Sequence, residues 1–483
     1  MKILFAASEC VPFAKTGGLA DVIGALPKAL VAKNNAQQKA EVCVVLPLYK
    51  KFAGEYADKL KHQMYFYVNL GWRRQYCGIE LLEQDGIKYY FLDNDFYFGR
   101  DTIYGSGSEE AERFAFFCRA VLEALPHIDF IPDILHCHDW QTGMIPVLLK
   151  TQYNSLDLYK NIKVLYTIHN LQYQGIFAIN QIEDLLVLGS WIYTDDKLEF
   201  YGGCNFMKGA LVYSDAITTV SPNYSSEIQT PYYGERLDGL IRSRSKDLYG
   251  IINGIDMDLY NPLTDKNLAY NYDESSFEKK KENKMALQKE LGLDVDPDIP
   301  MISMITRLSS QKGLDLVEYA LAPIMEQNVQ FVVLGMGDEK FTNLFRWAAW
   351  LYLGKLSARI EMNFPLANRI YAGSDLFLMP SQFEPCGLSQ MISMRYGTVP
   401  IVRETGGLKD TVTPYNEADD SGTGFTFYSY NADDMLRSLS YAVDIYRNKP
   451  EKFAGIAKRG MKGDYSWNVS ARDYMAIYEN LLK

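Results

Sequence analysis

Apolar residues run along this chain in short continuous blocks, separated by polar loops that carry glycine. In the first half, residues 2–7, 41–47, 163–169 and 215–220 each read as a strand and 133–140 as a strand running into a loop, with the continuous apolar run 41–47 typical of a buried strand. Behind the first block, Leu19, Val22, Ile23, Leu26 and Leu30 recur with helical spacing, and residues 109–125 repeat that amphipathic pattern. Residues 65–70, 77–82 and 88–92 follow one another across polar turns, which predicts a meander inserted in the α/β frame. The character changes between 250 and 300. A turn-rich stretch at 251–256 leads into a charged segment and then a helix over 283–291. Strand-like blocks resume at 300–306, 330–334, 375–379 and 398–402, and residues 431–483 read as helical and carry Trp467. Strands alternating with helices imply parallel sheets wound on both faces. The expectation is an α/β protein of two similar halves with a hinge near residue 255.

Composition narrows the classes. At 483 residues, 48% apolar and 23% charged, the chain supports two or three packed domains and is not a disordered one. A net charge of −11 argues against a nucleic-acid partner. The seven cysteines are dispersed and odd in number, which suits a reducing compartment rather than a disulfide framework. The chain enters a strand at once, with no leader pattern, and no stretch of about twenty apolar residues predicts a membrane span. The expected setting is the cytoplasm. Aromatic residues make up 13% of the chain, 35 of them tyrosines. Tyrosine-rich surfaces suit sugar rings, and a tyrosine-heavy core explains the same count.

The loops after the strands carry the candidate chemistry. Lys15-Thr16-Gly17-Gly18 sits between a strand and a helix, where free N–H groups, the helix dipole and a mobile ammonium favour an anion. Its near-repeat, Glu404-Thr405-Gly406-Gly407-Leu408-Lys409-Asp410, occupies the matching context in the second half. Both turns belong on the rim where doubly wound sheets bind ligands, which points to a cleft-bound phosphate. Arg307 and Lys312 follow another strand and suit one diphosphate: a planar fork and a compact charge against a developing negative leaving group. Glu384 opens a loop-to-helix turn, where it caps the helix or accepts sugar hydroxyls. Cys386 lacks a local histidine to activate it as a nucleophile. His136 and His138 would share one strand face, but nothing else completes a metal site, and Asp93-Asn94-Asp95 is too short a pattern to count. His169-Asn170, at a strand end, suits substrate contact.

Together, KTGGLADV near the N-terminus, HDW at 138–140, IHN at 168–170, NGID at 253–256, TRLSSQKG at 306–313, FEPCGL at 383–388 and TGGLKDTV at 405–412 resemble the bacterial glycogen synthases and plant starch synthases. The motifs occur in family order over nearly the whole chain. The resemblance implies a retaining glycosyltransferase of GT-B type, with two Rossmann-like domains (1–250 and 251–460) facing across a deep cleft. Residues 461–483 would form a helix returning to the first. It implies glucose transfer from ADP-glucose to the non-reducing end of an α-1,4-glucan, with no metal and no pyridoxal phosphate, and no nucleic-acid or membrane partner. By matching motif, His169, Arg307, Lys312 and Glu384 would be catalytic. Lys15, Gly17, Gly18, Asp21, Asn170, Asn253, Cys386, Gly387, Leu388, Thr405, Gly406 and Gly407 would hold the donor, and Asp139 and Tyr104 the acceptor. Two departures are visible. Related retaining enzymes carry a second glutamate eight positions after the first, where this chain has Ile392, as glycogen synthases commonly do. Some members place an aromatic near Met362 for the adenine, which leaves UDP-glucose as an alternative donor. Rival classes are a nicotinamide-dependent dehydrogenase, which lacks its G-x-G-x-x-G opening here, and a catalytically silent glucan-binding scaffold.

Overall fold

The computed structural model describes residues 1–32 and 40–483. The chain divides into two compact units, one made of Met1–Gly254 with Trp467–Lys483 and the other of Ile255–Ser466.

The first unit contains β1 (Lys2–Ala6), β2 (Glu41–Pro47), β3 (Lys61–Leu70), β4 (Arg73–Gln84), β5 (Ile87–Asp93), β6 (Ile134–His138), β7 (Lys163–Ile168), β8 (Ile176–Ala178), β9 (Glu199–Phe200), β10 (Gly203–Asn205), β11 (Ala216–Thr219) and β12 (Leu248–Gly250). Nine of these form one sheet in the order β12-β11-β7-β6-β1-β2-β5-β4-β3. It is parallel from β12 to β5, and β4 and β3 are added antiparallel. The meander is therefore not a separate insertion. Tyr89, Tyr90, Phe91 and Leu92 of β5 are all buried, so this strand needs cover on both faces and joins the main sheet beside β2. β8, β10 and β9 make a small sheet of their own. The helix Trp467–Leu481 belongs to this unit: Trp467, Ala471, Tyr474 and Tyr478 share a core with Ile3, Phe5, Val22, Leu26 and Val44. Each large aliphatic or phenylalanine side chain among these, taken out of water, stabilises the fold by about 1.5–3 kcal/mol.

The second unit has one six-stranded sheet, ordered β15 (Leu356–Arg359), β14 (Gln330–Leu334), β13 (Met301–Ile305), β16 (Leu376–Met379), β17 (Val399–Arg403), β18 (Phe425–Phe427). Every pairing is parallel. Helices such as Leu314–Met325 and Ala432–Asn448 cover it, and Ile302, Met304, Phe331, Val333, Leu378 and Ile401 lie in its core. In each sheet the strand order reverses at the first strand of the unit, with β1 between β6 and β2, and β13 between β14 and β16. The loops leaving those strands are where such folds present ligand-binding groups. The segment 431–483, read as helical, comprises the helices Ala432–Asn448, Pro450–Met461 and Trp467–Leu481. No helix among the described residues is long and apolar enough to cross a membrane.

Candidate functional site

In the first unit, the loop after β1 is organised by a residue the sequence patterns did not single out. Glu9 is buried, 3% exposed, and its carboxylate accepts from the Thr16 amide (2.5 Å), the Thr16 hydroxyl (2.7 Å), the Gly17 amide (3.1 Å) and the Tyr104 phenol (2.6 Å). Ser8 Oγ shares the Tyr104 hydroxyl at 2.7 Å, and Tyr49 donates to the Ser8 carbonyl at 2.9 Å. The amides of Thr16 and Gly17, read from sequence as free to meet an anion, are thus taken by the protein's own carboxylate. The helix Gly18–Ala32 follows at once, so Glu9 also lies close to its N-terminal dipole. Gly17 and Gly18 stand in open space: a Cβ on either would meet no described atom within 4 Å, and neither has a positive φ. Lys15 pairs with Asp21 at 2.7 Å. Burial pushes the Asp21 carboxyl above its ordinary range, against the pull of Lys15.

Parallel register brings the ends of β6 and β7 together, with His138 opposite Thr167. Asp139 has a positive φ of 55° and turns its carboxylate onto the next loop, accepting from the His169 amide (2.8 Å) and the Asn170 amide (3.5 Å). Burial raises its carboxyl to about 7, with both amides opposing the shift. The His169 ring meets His138 Nδ1 through Nε2 at 3.0 Å, and burial lowers its pKa to about 3, so it is neutral at pH 7. His136 and His138 share a strand face with ring centroids 4.1 Å apart, and burial pushes both well below the usual histidine range. Neither sits in a metal-type cluster. His136 is held by Thr167 (2.6 Å) and by Tyr478 (2.8 Å) of the C-terminal helix, and no group of three metal-ligating side chains occurs among the described residues. Asn253 lies buried near the end of this unit, its Oδ1 unpartnered among the described residues.

In the second unit, three adjacent parallel strands, β13, β16 and β17, each release a loop. Lys312 ends the turn Ser310–Lys312 after β13 and places Nζ 2.7 Å from Glu384 Oε2 in the loop after β16. Ser381 Oγ donates to the same oxygen at 3.0 Å. Glu384 is 7% exposed, and Lys312 is partly so. Arg307, on the same loop as Lys312, is exposed. The glycine turn after β17 is locked against the Glu384 loop. Gly406 has φ +44°, and a Cβ there would lie 1.9 Å from the Glu384 carbonyl oxygen. A Cβ on Gly407 would lie 2.3 Å from the Cys386 carbonyl oxygen, and its amide already donates to the carbonyls of Glu384 (3.2 Å) and Pro385 (3.0 Å). Thr405 is buried at the head of this turn, and Gly387, at φ +72°, lets the chain turn toward Leu388. Gln390 ties the loop down by donating to the Cys386 and Gly387 carbonyls. Cys386 itself is buried, and its carbonyl accepts from Gln390 at 3.1 Å. Arg403, also missed in the sequence, donates to the Gln382 carbonyl at 2.5 Å and braces this loop from β17. Ile392 is buried in the helix Ser389–Arg395, whereas Met362 is 68% exposed.

The second unit therefore gathers Lys312, Glu384, Ser381 and the Thr405–Gly407 turn, with Arg307 alongside. The first gathers Asp139, His169 and Asn170 by register, and holds the Lys15 loop through Glu9 and Tyr104.

Comparison with known proteins gives a consistent picture. A starch synthase catalytic domain model matches residues 2–243, and a model for glycosyl transferases group 1 matches residues 288–459. The chain is 54% identical to a glycogen synthase of Geobacillus thermodenitrificans over 100% of this chain and 98% of that protein. It is 52% identical to a glycogen synthase of Lachnospira eligens over 99% of both. Its structure is similar to the catalytic domain of starch synthase IV from Arabidopsis thaliana, solved bound to ADP and acarbose, with a TM-score of 0.91 and 32% identity over 100% of this chain and 99% of that one. A sucrose-phosphate synthase from Thermosynechococcus elongatus, at 17% identity and a TM-score of 0.63 over 99% of this chain and 98% of that one, shares the fold.

Proposed function

The chain belongs to the glycogen and starch synthase family of retaining glycosyltransferases, and from that premise we propose that it transfers glucose from ADP-glucose to the non-reducing end of an α-1,4-glucan. The observation that carries the reading is the Lys312–Glu384 pair at 2.7 Å, set on loops from adjacent strands beside the glycine turn of β17.

In the reaction, the bond between the anomeric carbon and the diphosphate oxygen breaks, and the leaving ADP keeps the electron pair. A bond forms from the acceptor hydroxyl to the same face of that carbon, and the hydroxyl proton passes to the leaving phosphate oxygen. No pair of carboxylates is assigned as acid and nucleophile. Arg307 and Lys312 neutralise the charge that grows on the diphosphate, the largest electrostatic demand of the step. Glu384 orders Lys312 and accepts donor-sugar hydroxyls. Cys386, Gly387 and Leu388 shape that loop, and Thr405 and Gly406 approach the distal phosphate while Gly407 locks the turn. Lys15, Gly17 and Gly18 leave room for the donor, and Asp21 orients Lys15. Neutral His169 contacts the reacting sugar through a ring held by His138, and Asn170 and Asn253 contribute amides. Asp139 sets the His169 loop, and Tyr104, through Glu9, sets the Lys15 loop; both serve the acceptor side. Positioning by these groups supplies the remaining rate enhancement.

With two cations placed against the diphosphate, the reaction needs neither metal nor pyridoxal phosphate, and turnover is expected to persist in EDTA. The absence of an aromatic at Met362 favours a second reading in which UDP-glucose is the donor. Seven buried cysteines, none in a disulfide, suit a cytoplasmic setting. The test is elongation of maltotriose with ADP-glucose: new α-1,4 linkages seen by NMR and released ADP should appear one for one. Release of diphosphate without chain growth, or no release from any sugar nucleotide, contradicts the assignment.

A further inference from the structure

The helix Glu339–Leu351 of the second unit is apolar on two faces, although covering a sheet needs only one. Phe341, Phe345 and Ala348 recur at helical spacing and are buried in the core of the sheet, with Leu344 and Ala349 packed against it. On another face stand Trp347, Trp350 and Leu351, 52%, 73% and 45% exposed, and the turn beyond adds Leu353 at 83%. Residues three and four apart are neighbours on a helix surface, so the two indoles and Leu351 form one patch. The Asp294 amide donates to the Gly354 carbonyl at 2.8 Å, which brings the exposed Val295 to the border of the same turn. The helix connects β14 to β15, parallel neighbours at the edge of the sheet, so it runs back from the strand ends that carry the ligand loops. Trp350 lies about 16 Å along it from Glu339. The patch is therefore displaced from the Lys312–Glu384 loops.

Composition, area and charge select the occupant. From Thr342 to Leu353 the chain has no aspartate, glutamate or lysine, and Arg346 is its one charge. Protein interfaces show this bias at their centres: tryptophan, tyrosine and arginine are enriched there, and lysine and carboxylates are depleted. The two indoles and the three aliphatic side chains present on the order of 500–700 Å², close to the about 800 Å² per partner that a specific interface buries. Asn343 and Arg346, exposed beside them, supply a polar rim. A surface that lies on lipid couples its apolar face to a row of cations, and one arginine is no row. The patch is instead complementary to itself. In an antiparallel pair of these helices about a two-fold axis between Trp347 and Trp350, Trp347 of each copy meets Trp350 of the other. The two Arg346 side chains then lie on opposite sides of the axis, each within reach of an indole face of the other copy, and the helix dipoles oppose. Two-fold homodimers are the commonest assemblies of soluble chains.

We propose that two copies of this chain associate through the Trp347–Trp350–Leu353 patch, helix against helix about a two-fold axis. The contact buries the second apolar face and leaves the Lys312–Glu384 loops uncovered.

The test is the mass in solution, by sedimentation velocity and light scattering over a wide range of protein concentration. The wild type should show about twice the 55.1 kDa of one chain and fall toward one chain on dilution. The double variant Trp350→Lys/Leu353→Lys should melt like the wild type and show the mass of one chain where the wild type shows two. A wild type that stays at one chain's mass, or a double variant that stays at two, overturns the proposal. A second reading needs no variant: in wild-type protein labelled with fluorotryptophan, the fluorine resonances of Trp347 and Trp350 should shift with protein concentration while those of the exposed Trp72 and Trp191 stay. Stationary Trp347 and Trp350 resonances overturn the proposal. Shifts seen only on adding phosphatidylcholine vesicles also overturn it, and assign the patch to a lipid surface.

Discussion

At the scale of single residues, the site rests on a few charged and titratable groups whose surroundings fix their state. Lys312 is held at 2.7 Å by Glu384, which fixes the place of its charge. Replacing Lys312 or Arg307 with alanine is expected to lower kcat by about 10²- to 10³-fold, the cost of losing a transition-state charge partner. Wild-type turnover in either variant would remove that residue from the mechanism. The three clustered histidines make a different prediction. Burial depresses all of them, His169 to about 3 from 6.5, so between those values the unfolded chain binds protons that the folded one does not. The stability they contribute is complete above pH 6.5 and falls as pH drops from 6.5 toward 3. Asp139 acts with the opposite sign: its carboxyl is raised to about 7, so its contribution falls as pH rises from 3.8 to 7. Melting temperature against pH for the wild type, compared with Asp139→Asn, separates the two. The variant should lose the decline on the neutral side and keep the acid one.

At the scale of elements, the two TGG turns look alike in sequence and behave differently in structure. Gly406 is required by the protein itself, through a positive φ and a backbone oxygen 1.9 Å from any Cβ, whereas Gly18 faces open space. Gly406→Ala should therefore lower the melting temperature together with activity, and Gly18→Ala should melt like the wild type yet weaken donor binding, read as a raised KM for the sugar nucleotide. A donor KM unchanged in Gly18→Ala would mean that the space at Gly18 is not used by the donor. The strand–loop–helix units were legible because parallel strands, covered on both faces, leave continuous apolar runs such as 41–47. β18 and the strands β8 to β10 are only two or three residues long, too short to show a period. Glu9 escaped notice for a related reason. A lone carboxylate three residues past a strand has no pattern, and its role follows only once Tyr104 is folded against it from 95 positions away. The same holds for Arg403, whose partners lie in another loop.

At the scale of the whole molecule, the chain passes from one unit to the other near Gly254 and returns at Trp467, so the last helix completes the core of the first unit. Truncation after Ser466 removes Trp467, Tyr474 and Tyr478 from that core and leaves His136 without its Tyr478 partner. Such a protein should lose near-UV circular dichroism and cooperative melting of the first unit; retention of both would mean that the helix is dispensable for its packing. The sequence motifs, in family order from residue 15 to 412, pointed to the family before any geometry was known. The donor base is less legible, since Met362, 68% exposed, offers no aromatic ring to stack on it. The most direct measurement is a donor competition: the rate of glucose incorporation into glycogen, at equal concentrations, from ADP-glucose and from UDP-glucose. A clear preference for ADP-glucose is expected, with Lys312→Ala lowering the rate from either donor about 10²- to 10³-fold. Equal inactivity with both donors, or a preference for UDP-glucose, would contradict it.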